Sequence, residues 1–143
     1  MSVEETQQLI SSYFDALLNE GDFARFFAED VVWTTMETLD QIRGRDEVRD
    51  FIIALHSEMF DARPEVKNVI VGDGVVSLEA VFVGKHIADF AGVPATNAAV
   101  RVPYSVFYDI ENGQITTLHA YFPVLALAKQ LQDEAAFTSD GGF

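Results

Sequence analysis

The sequence predicts one α+β domain, in which a curved antiparallel sheet wraps over helices from the start of the chain. Apolar residues recur at helical spacing up to residue 59, and strand-like segments then follow one another from 65 to 122. An Asn112-Gly113 pair between two of these segments is the strongest short signal for a β-hairpin. Helices followed by a run of antiparallel strands are typical of the α+β class.

The chain opens with two predicted helices. Ser2 and Glu5 form a capping box for the first, whose apolar face recurs until Gly21 stops the pattern. Asp22 can cap a short second helix that carries Phe23, Phe26 and Phe27.

Two further helices complete the helical part of the prediction. Asp46 precedes apolar residues at helical spacing over 48–59, which predicts the third helix. Pro123 suits the first turn of a closing helix, and residues 137–143 are expected to form a frayed tail. No linker or repeat interrupts the chain, so we expect a single domain over 1–143.

Strand alternation predicts which side chains share a face of the sheet. Phe82 and His86 fall on one face of the segment 75–86, and His119 and Tyr121 fall on one face of the last strand. The predicted strands are 31–36, 65–71, 75–86, 98–110 and 115–122.

Composition excludes several classes of function. The chain has 9 basic and 23 acidic residues, a net charge of −14, and no cysteine. This charge repels phosphate backbones and anionic membrane surfaces, and the missing thiols exclude disulfides and cysteine nucleophiles. No signal peptide or apolar run of about 18 residues is present. We expect a cytoplasmic protein that binds neither nucleic acid nor membranes.

The aromatic content predicts an internal pocket. Twelve Phe, four Tyr and one Trp are many large rings for a domain of 143 residues. A strongly curved sheet over a helix forms a cone, and concave apolar spaces with a few polar groups are where small molecules bind.

Six segments, in this order, resemble the SnoaL-like polyketide cyclase family. They are Phe27-Ala28-Glu29-Asp30-Val31-Val32-Trp33, Arg43-Gly44-Arg45-Asp46-Glu47-Val48, Val83-Gly84-Lys85-His86, Phe90-Ala91-Gly92-Val93-Pro94-Ala95-Thr96, Arg101-Val102-Pro103 and Ile110-Glu111-Asn112-Gly113-Gln114-Ile115. The resemblance implies a cone-shaped nuclear transport factor 2-like fold, usually dimeric. It also implies hydrophobic, often polycyclic substrates that are cyclised or isomerised by acid/base catalysis without a cofactor.

The last strand departs from the family pattern. Where the cyclases carry a general acid/base Asp, this chain has Pro123. Limonene epoxide hydrolase, which shares the fold, has an Arg and an Asp where His119 and Ala120 stand here. Because neither mechanism transfers intact, an epoxide hydrolase or dehydratase with another residue pair, and a binding or scaffolding protein without catalysis, stay open as alternatives.

The sequence-based hypothesis assigns proton transfer to two histidines. His86 matches the pocket histidine of the family, and His119 is a polar group close to the place of the missing Asp. A histidine exchanges protons near neutral pH. Glu37, at the strand period after Trp33 and Thr35, is the auxiliary carboxylate. Each residue has a competing interpretation. His86 could cap a loop, His119 could be a core histidine with a hydrogen-bond partner, and Glu37 could be a solvated carboxylate.

Seven residues are expected to bind the substrate, and no cofactor or metal is expected. Tyr104 and Tyr121 could donate hydrogen bonds to an oxyanion, and large rings at strand positions could shape the pocket, although such rings are more often core. No histidine spacing supports an iron site. The seven are Trp33, Thr35, Phe82, Tyr104, Tyr121, His56 and Met59.

The two-sided apolar pattern of the sheet predicts a homodimer. Ala80 and Phe82 serve the pocket side of their strand, which leaves Val81 and Val83 on an outer face with no helix to cover them. In a soluble protein such a patch usually marks an interface, so two copies are expected to pair through the outer face of the sheet.

Overall fold

The computed structural model describes residues 2–139, which form helices on one side of a curved sheet. The α-helices are α1 (Val3–Leu18), α2 (Arg45–Ile53) and α3 (Val124–Ser139), with a 3-10 helix at Phe23–Phe26 and a π-helix at Ala54–Met59. The strands are β1 (Phe27–Thr35), β2 (Asp40–Arg43), β3 (Phe60–Val71), β4 (Val75–His86), β5 (Ala99–Glu111) and β6 (Gln114–Tyr121).

Helix α1 begins and packs as its sequence predicts. The Ser2 hydroxyl accepts a hydrogen bond from the Glu5 backbone N–H at 3.1 Å, which satisfies one of the free donors of the first turn. Ile10 and Tyr13 are buried on the face toward the sheet. The Thr6 hydroxyl accepts a hydrogen bond from the Gly74 N–H at 3.0 Å, which ties α1 to the turn between β3 and β4.

The sheet is mixed, so the prediction of a wholly antiparallel sheet is wrong at one pair of strands. The order is β2-β1-β6-β5-β4-β3, and all neighbours are antiparallel except β1 and β6, which run parallel. Between β1 and β6 the chain crosses to β3 at the far edge, and the meander from β3 returns β6 to the side of β1. Local turn signals do not reveal this non-local pairing.

The hairpins match the turn signals in the sequence. Asn112 and Gly113 adopt φ values of 52° and 74°, as the tight turn between β5 and β6 requires. Strand β4 has the predicted bounds, and its residues alternate between buried and partly exposed. A short strand, β2, occupies Asp40–Arg43, which the sequence did not predict.

The buried residues form two apolar clusters along the inner face of the sheet. The first lies under α1 and α2 and includes Tyr13, Trp33 and Tyr108. The second lies under α3 and includes Phe60, Phe82 and other aromatic and aliphatic side chains. Together they hold the helices on one face of the sheet.

Several boundaries differ from the prediction. Strand β1 begins at Phe27 and β3 at Phe60, four and five residues before the predicted starts. The third predicted helix continues beyond α2 as a π-helix, in which the wider turn changes the direction of the side chains. Part of the predicted frayed tail, residues 137–139, belongs to α3, and residues 140–143 lie outside the described part of the chain.

Candidate functional site

Two neighbouring spaces lie beside α1 and the π-helix. The first lies against the inner face of the sheet, and the second lies at the β3 edge, where residues of both faces of that strand line it. We call them the inner cavity, of about 40 Å³, and the outer chamber, of about 670 Å³. A single buried water needs roughly 10–15 Å³ of such cavity volume, so the inner cavity accepts a small polar group but no ring system. The outer chamber has the size of typical small-molecule sites. Both are lined by Leu17, Leu18, Ile52, His56 and Pro64.

Three tyrosines line the inner cavity, of which Tyr13 and Tyr108 are buried and Tyr104 is partly buried. Helix α1 supplies Tyr13, and β5 supplies Tyr104 and Tyr108, which lie on the same face of that strand. The ring centroids of Tyr13 and Tyr108 are 5.9 Å apart. Within residues 2–139, none of the three hydroxyls has a hydrogen-bond partner. These phenols can therefore donate to an oxygen atom of a ligand.

Burial keeps these phenols protonated. Desolvation raises the pKa of Tyr13, Tyr104 and Tyr108, and the neighbouring phenols of Tyr13 and Tyr104 raise the pKa of Tyr108 further. Each hydroxyl thus remains a hydrogen-bond donor across the physiological pH range.

His56 lies on the π-helix in the wall that the two spaces share. Its Nδ1 is 2.8 Å from the Ile52 carbonyl oxygen, and because a carbonyl only accepts, Nδ1 carries the proton. The Nε2 atom of a neutral ring then has a free lone pair, and this atom is buried without a partner among the described residues. Burial lowers the pKa of His56 from 6.5, so the ring is a neutral base at pH 7.

Trp33 forms part of the inner cavity and is fixed in place by two contacts. Its indole Nε1–H donates to the Thr35 hydroxyl at 3.0 Å, and its ring packs against Phe51 at a centroid distance of 5.1 Å. Thr35 is buried but does not line either space, so it positions Trp33 instead of contacting a ligand.

The structure brings four of the predicted site residues together. Trp33, Phe82, Tyr104 and His56 all line the inner cavity, and the His56 and Phe82 rings are 5.3 Å apart. Met59 lies outside both spaces and packs against the second apolar cluster.

His86 is fully buried beside the second cluster and lies outside both spaces. Its Nδ1 accepts a hydrogen bond from the Thr96 N–H at 3.2 Å, and its ring packs against Phe60 at 5.3 Å. Desolvation lowers the pKa of His86. This geometry matches the competing interpretation in which the histidine fixes the loop that follows β4.

His119 and Tyr121 lie on the outer face of the sheet, which corrects the expectation that they face the pocket. Their neighbours Leu118 and Ala120 are buried on the inner face, and successive side chains of a strand point to opposite faces. Tyr121 is 49% exposed and its ring contacts Phe107. The structure therefore does not bring His86 and His119 to one point.

Glu37 is exposed and lies at the beginning of α3. Its Oε1 accepts a hydrogen bond from the Leu125 backbone N–H at 2.7 Å, which places a negative charge at the positive end of the helix dipole. Pro123 precedes this helix, and its carbonyl accepts from the Leu127 N–H. The carboxylate thus caps a helix and lies outside both spaces.

Sequence reasoning did not select Tyr13 and Tyr108 as site residues. The sequence did indicate that both face the interior. Tyr13 falls on the apolar face of α1, and Tyr108 lies on the same face of its strand as Tyr104. Neither was singled out from its apolar face, and only the packing of α1 over β5 reveals that both border a cavity.

Within residues 2–139, no cluster of three or more His, Asp or Glu side chains could hold a metal ion. In the same part of the chain, no helix is long and apolar enough to cross a bilayer.

Solved structures share this fold at low sequence identity. A candidate SnoaL-like polyketide cyclase from Jannaschia sp. CCS1 is 21% identical with a TM-score of 0.77, covering 87% of this chain and 90% of that one. A candidate ketosteroid isomerase from Kribbella flavida DSM 17836 is 20% identical with a TM-score of 0.66, covering 84% and 78%. A nuclear transport factor 2-like protein from Burkholderia pseudomallei K96243 is 16% identical with a TM-score of 0.70, covering 87% and 95%.

These similarities confirm the predicted fold, a nuclear transport factor 2-like cone of the α+β class. No curated protein matches the chain significantly. The family model for SnoaL-like polyketide cyclases matches residues 8–131, which is most of the sequence. The chain therefore belongs to the SnoaL-like polyketide cyclase family.

Proposed function

We propose that this protein is a cofactor-free acid/base enzyme that isomerises or cyclises a hydrophobic carbonyl compound of the polyketide or terpenoid type. One observation carries the proposal. His56 has a proton on Nδ1 and an unpartnered Nε2, and it lies in the wall of a cavity lined by the phenols of Tyr13, Tyr104 and Tyr108. A base and hydrogen-bond donors around one small apolar space are what the removal of a proton next to a carbonyl requires.

The proposed first step moves one proton and one electron pair. Nε2 of His56 takes a proton from the carbon next to the carbonyl, and the C–H electron pair moves into the carbonyl to give an enolate. The enolate oxygen accepts hydrogen bonds from the phenols that line the cavity. The Ile52 carbonyl, which accepts from Nδ1, stabilises the imidazolium that forms.

The second step determines the product. In isomerisation, the imidazolium returns the proton to a different carbon of the conjugated enolate. In cyclisation, the enolate carbon attacks a second carbonyl carbon of the same molecule, and the new alkoxide takes the proton. Both routes restore neutral His56 and need no cofactor.

The sizes of the two spaces support this arrangement. The inner cavity, of about 40 Å³, accommodates a carbonyl group, and the outer chamber, of about 670 Å³, accommodates the body of a ring-bearing substrate. His56 lies in the wall shared by both, where the reacting carbon of such a substrate would be.

This proposal assigns the base to His56 in place of the pair His86 and His119. Two residues that exchange protons with one substrate must reach the same molecule. His86 is buried against Phe60 outside both spaces, and His119 lies on the outer face. The proposal therefore rests on the histidine that lines the cavity.

The experiment that tests the proposal follows deuterium exchange into 2-tetralone, a small ketone with acidic hydrogens next to its carbonyl. Proton NMR in D₂O measures the rate with and without the protein. We expect a rate well above that of the buffer, inhibited by 2-naphthol, whose hydroxyl resembles an enol. Binding of 2-naphthol without faster exchange would instead support the alternative of a binding protein that has lost catalysis.

We also propose that two copies pair through the outer face of the sheet. Phe107 is 50% exposed and stacks edge-on with Tyr121, at a centroid distance of 5.8 Å. Val81 and Val83 lie further along the same face, opposite Pro103 and Arg101 of β5. Arg101 crosses β4 there to bind Glu65 at 3.0 Å. The aromatic pair is thus the more exposed part of this face.

Replacing Phe107 with aspartate is expected to convert the dimer to a monomer, because it places a charge inside the apolar contact. Light scattering at micromolar concentration should give about twice the mass of 15.9 kDa for the native protein and that mass for the variant. Val3→Asp, at an exposed apolar position of α1 on the helix side of the sheet, is the matched control and should remain dimeric. A native protein that is a monomer under these conditions would contradict the proposed interface.

A further inference from the structure

The β4–β5 loop, residues 87–98, lies over the second apolar cluster. Phe90 and Val93 are buried in that cluster, and the Phe90 ring packs against Phe60 at a centroid distance of 5.0 Å. Phe60 packs in turn against Phe82, at 5.2 Å, and Phe82 lines the inner cavity. The loop therefore covers the aromatic residues that support one wall of the cavity.

His86, the last residue of β4, is hydrogen-bonded to the returning end of this loop. Its backbone N–H donates to the Ala98 carbonyl at 3.0 Å, and its carbonyl accepts from the Asn97 N–H at 2.9 Å. The imidazole Nδ1 accepts from the Thr96 N–H at 3.2 Å and lies 3.0 Å from the Thr96 hydroxyl oxygen. One residue thus fixes three consecutive residues at the end of the loop.

The hydrogen bonds of the imidazole require that Nδ1 carries no proton. A backbone N–H only donates, so Nδ1 is the acceptor, and the single proton of the neutral ring lies on Nε2. The Thr96 hydroxyl already accepts from the Ala98 N–H at 3.1 Å, which leaves its own proton to donate to Nδ1. A proton added to Nδ1 would face the Thr96 N–H, donor against donor, and that N–H would lose its acceptor.

Burial makes a positive charge on His86 unfavourable. The residue is fully buried, and desolvation lowers the pKa of its imidazole from 6.5. The Ala88 backbone and the Asp89 carboxylate raise the pKa, but their effect is smaller than that of burial. The Asp89 carboxylate accepts from the Gly92 N–H at 3.2 Å, so it is held within the loop instead of binding the imidazole.

The charged residues on the elements around His86 are exposed. Lys85 precedes it on β4 and lies opposite Asp61 of β3, and both side chains are on the other face of the sheet. The charged residues of the π-helix, of the adjoining end of β5 and of α3 are exposed as well, namely Glu58, Arg101, Lys129, Asp133 and Glu134. Within residues 2–139 His86 forms no ion pair, so a protonated ring would be a buried charge without a counterion.

We propose that the β4–β5 loop is a pH-sensitive strap, which a neutral His86 holds closed and which a protonated His86 releases. A second proton on the ring breaks the bond from the Thr96 N–H and creates a buried charge, and both costs vanish when the loop opens and the ring reaches water. Opening removes Phe90 from Phe60 and uncovers the second cluster. The strap is independent of the proposed acid/base function, because it involves neither His56 nor the phenols of the inner cavity.

Acid is expected to open the loop, because only an open loop lets His86 bind a second proton in water. The closed state has its full stability above pH 6.5, the ordinary pKa of histidine, and loses it as the pH falls below that value. While the closed ring stays neutral, each pH unit below 6.5 favours the open loop about 10-fold. Between pH 7.5 and 5.0 the open fraction should therefore rise by up to about 30-fold.

Hydrogen–deuterium exchange of the loop amides in the intact protein, followed by mass spectrometry at pH 7.5 and 5.0, measures this opening. Each rate is compared with that of an unstructured peptide at the same pH, which removes the direct effect of acid on chemical exchange. We expect the protection of peptides covering 87–98 to fall about 10–30-fold at pH 5.0, while peptides from β6 keep theirs. Unchanged protection in the loop would overturn the proposal, and so would an equal loss in β6, which would indicate acid unfolding of the whole domain.

Replacing His86 with asparagine tests whether this histidine is the group that binds the proton. The Asn amide oxygen can accept at the place of Nδ1 but does not titrate, so the loop protection of His86→Asn should be the same at both pH values, whatever its absolute level. His119→Asn is the matched control, because it removes a histidine from the outer face of the sheet, and its loop should open like that of the native protein. An acid-induced loss of protection that persists in His86→Asn would refute the strap.

Discussion

Replacement of His56 with glutamine is expected to slow deuterium exchange into 2-tetralone by about 10²–10⁴-fold, the usual contribution of a positioned general base. Glutamine keeps a polar side chain of similar length but cannot accept a proton from carbon. The Nδ1–H bond to Ile52 leaves Nε2 as the basic atom, and its buried surroundings keep the ring neutral at pH 7. The rate by NMR and the fold by circular dichroism are measured on the same sample.

The same substitution at His119 separates the two hypotheses for the base. The structure places His119 on the outer face, so His119→Gln should exchange 2-tetralone at the native rate. The sequence-based hypothesis expects a large loss in that variant. Native activity in His56→Gln, or a selective loss in His119→Gln, would remove His56 from the mechanism.

Replacement of Gly84 with alanine is expected to lower the free energy of unfolding by about 1–3 kcal/mol, the range for overpacked interiors. An alanine Cβ at this position of β4 would lie 2.4 Å from both the Asp61 carbonyl oxygen and the Ala62 Cβ. These atoms belong to the paired strand β3, so the hairpin would have to separate to relieve the contact. Urea denaturation of the native and variant proteins measures the change.

Gly72→Ala is the control for this prediction. Its Cβ would meet only the end of the Val75 side chain closely, which can rotate away, so we expect a small effect. If Gly84→Ala unfolds at the native denaturant concentration, the close approach of β3 and β4 at Gly84 is not a feature of the protein in solution.

Local patterns predicted most elements of this fold correctly. The Ser2 cap, the turn at Asn112 and the alternation along β4 each depend on residues close in sequence, and the structure confirms all three. The parallel pairing of β1 with β6 joins segments more than 80 residues apart, such as Trp33 with Leu118. No local signal fixes such a pairing, which is why the sheet was predicted to be antiparallel throughout.

The site was predicted less well because its residues depend on packing between elements. The alternation of side chains along a strand placed Phe82 and Tyr104 on the inner face. Alternation alone does not say which face of β6 is buried. The apolar alternation of Leu118 and Ala120 was the signal that His119 points outward. The sequence-based hypothesis did not choose His56 as the base, because its position is typical of a helix-surface residue. The structure places it on a π-helix that borders the cavity.

The pH dependence of 2-tetralone exchange by the native protein tests the central claim most directly. Protonated His56 must lose its Nε2 proton before it can act as a base. Because burial lowers the pKa of His56, the exchange rate should rise with pH, with a midpoint below 6.5. The phenols have pKa values raised above 10.0, so the rate should then stay level up to pH 10. A midpoint above 6.5, or a decline that begins below pH 10, would contradict an active site built from His56 and the three tyrosines of the inner cavity.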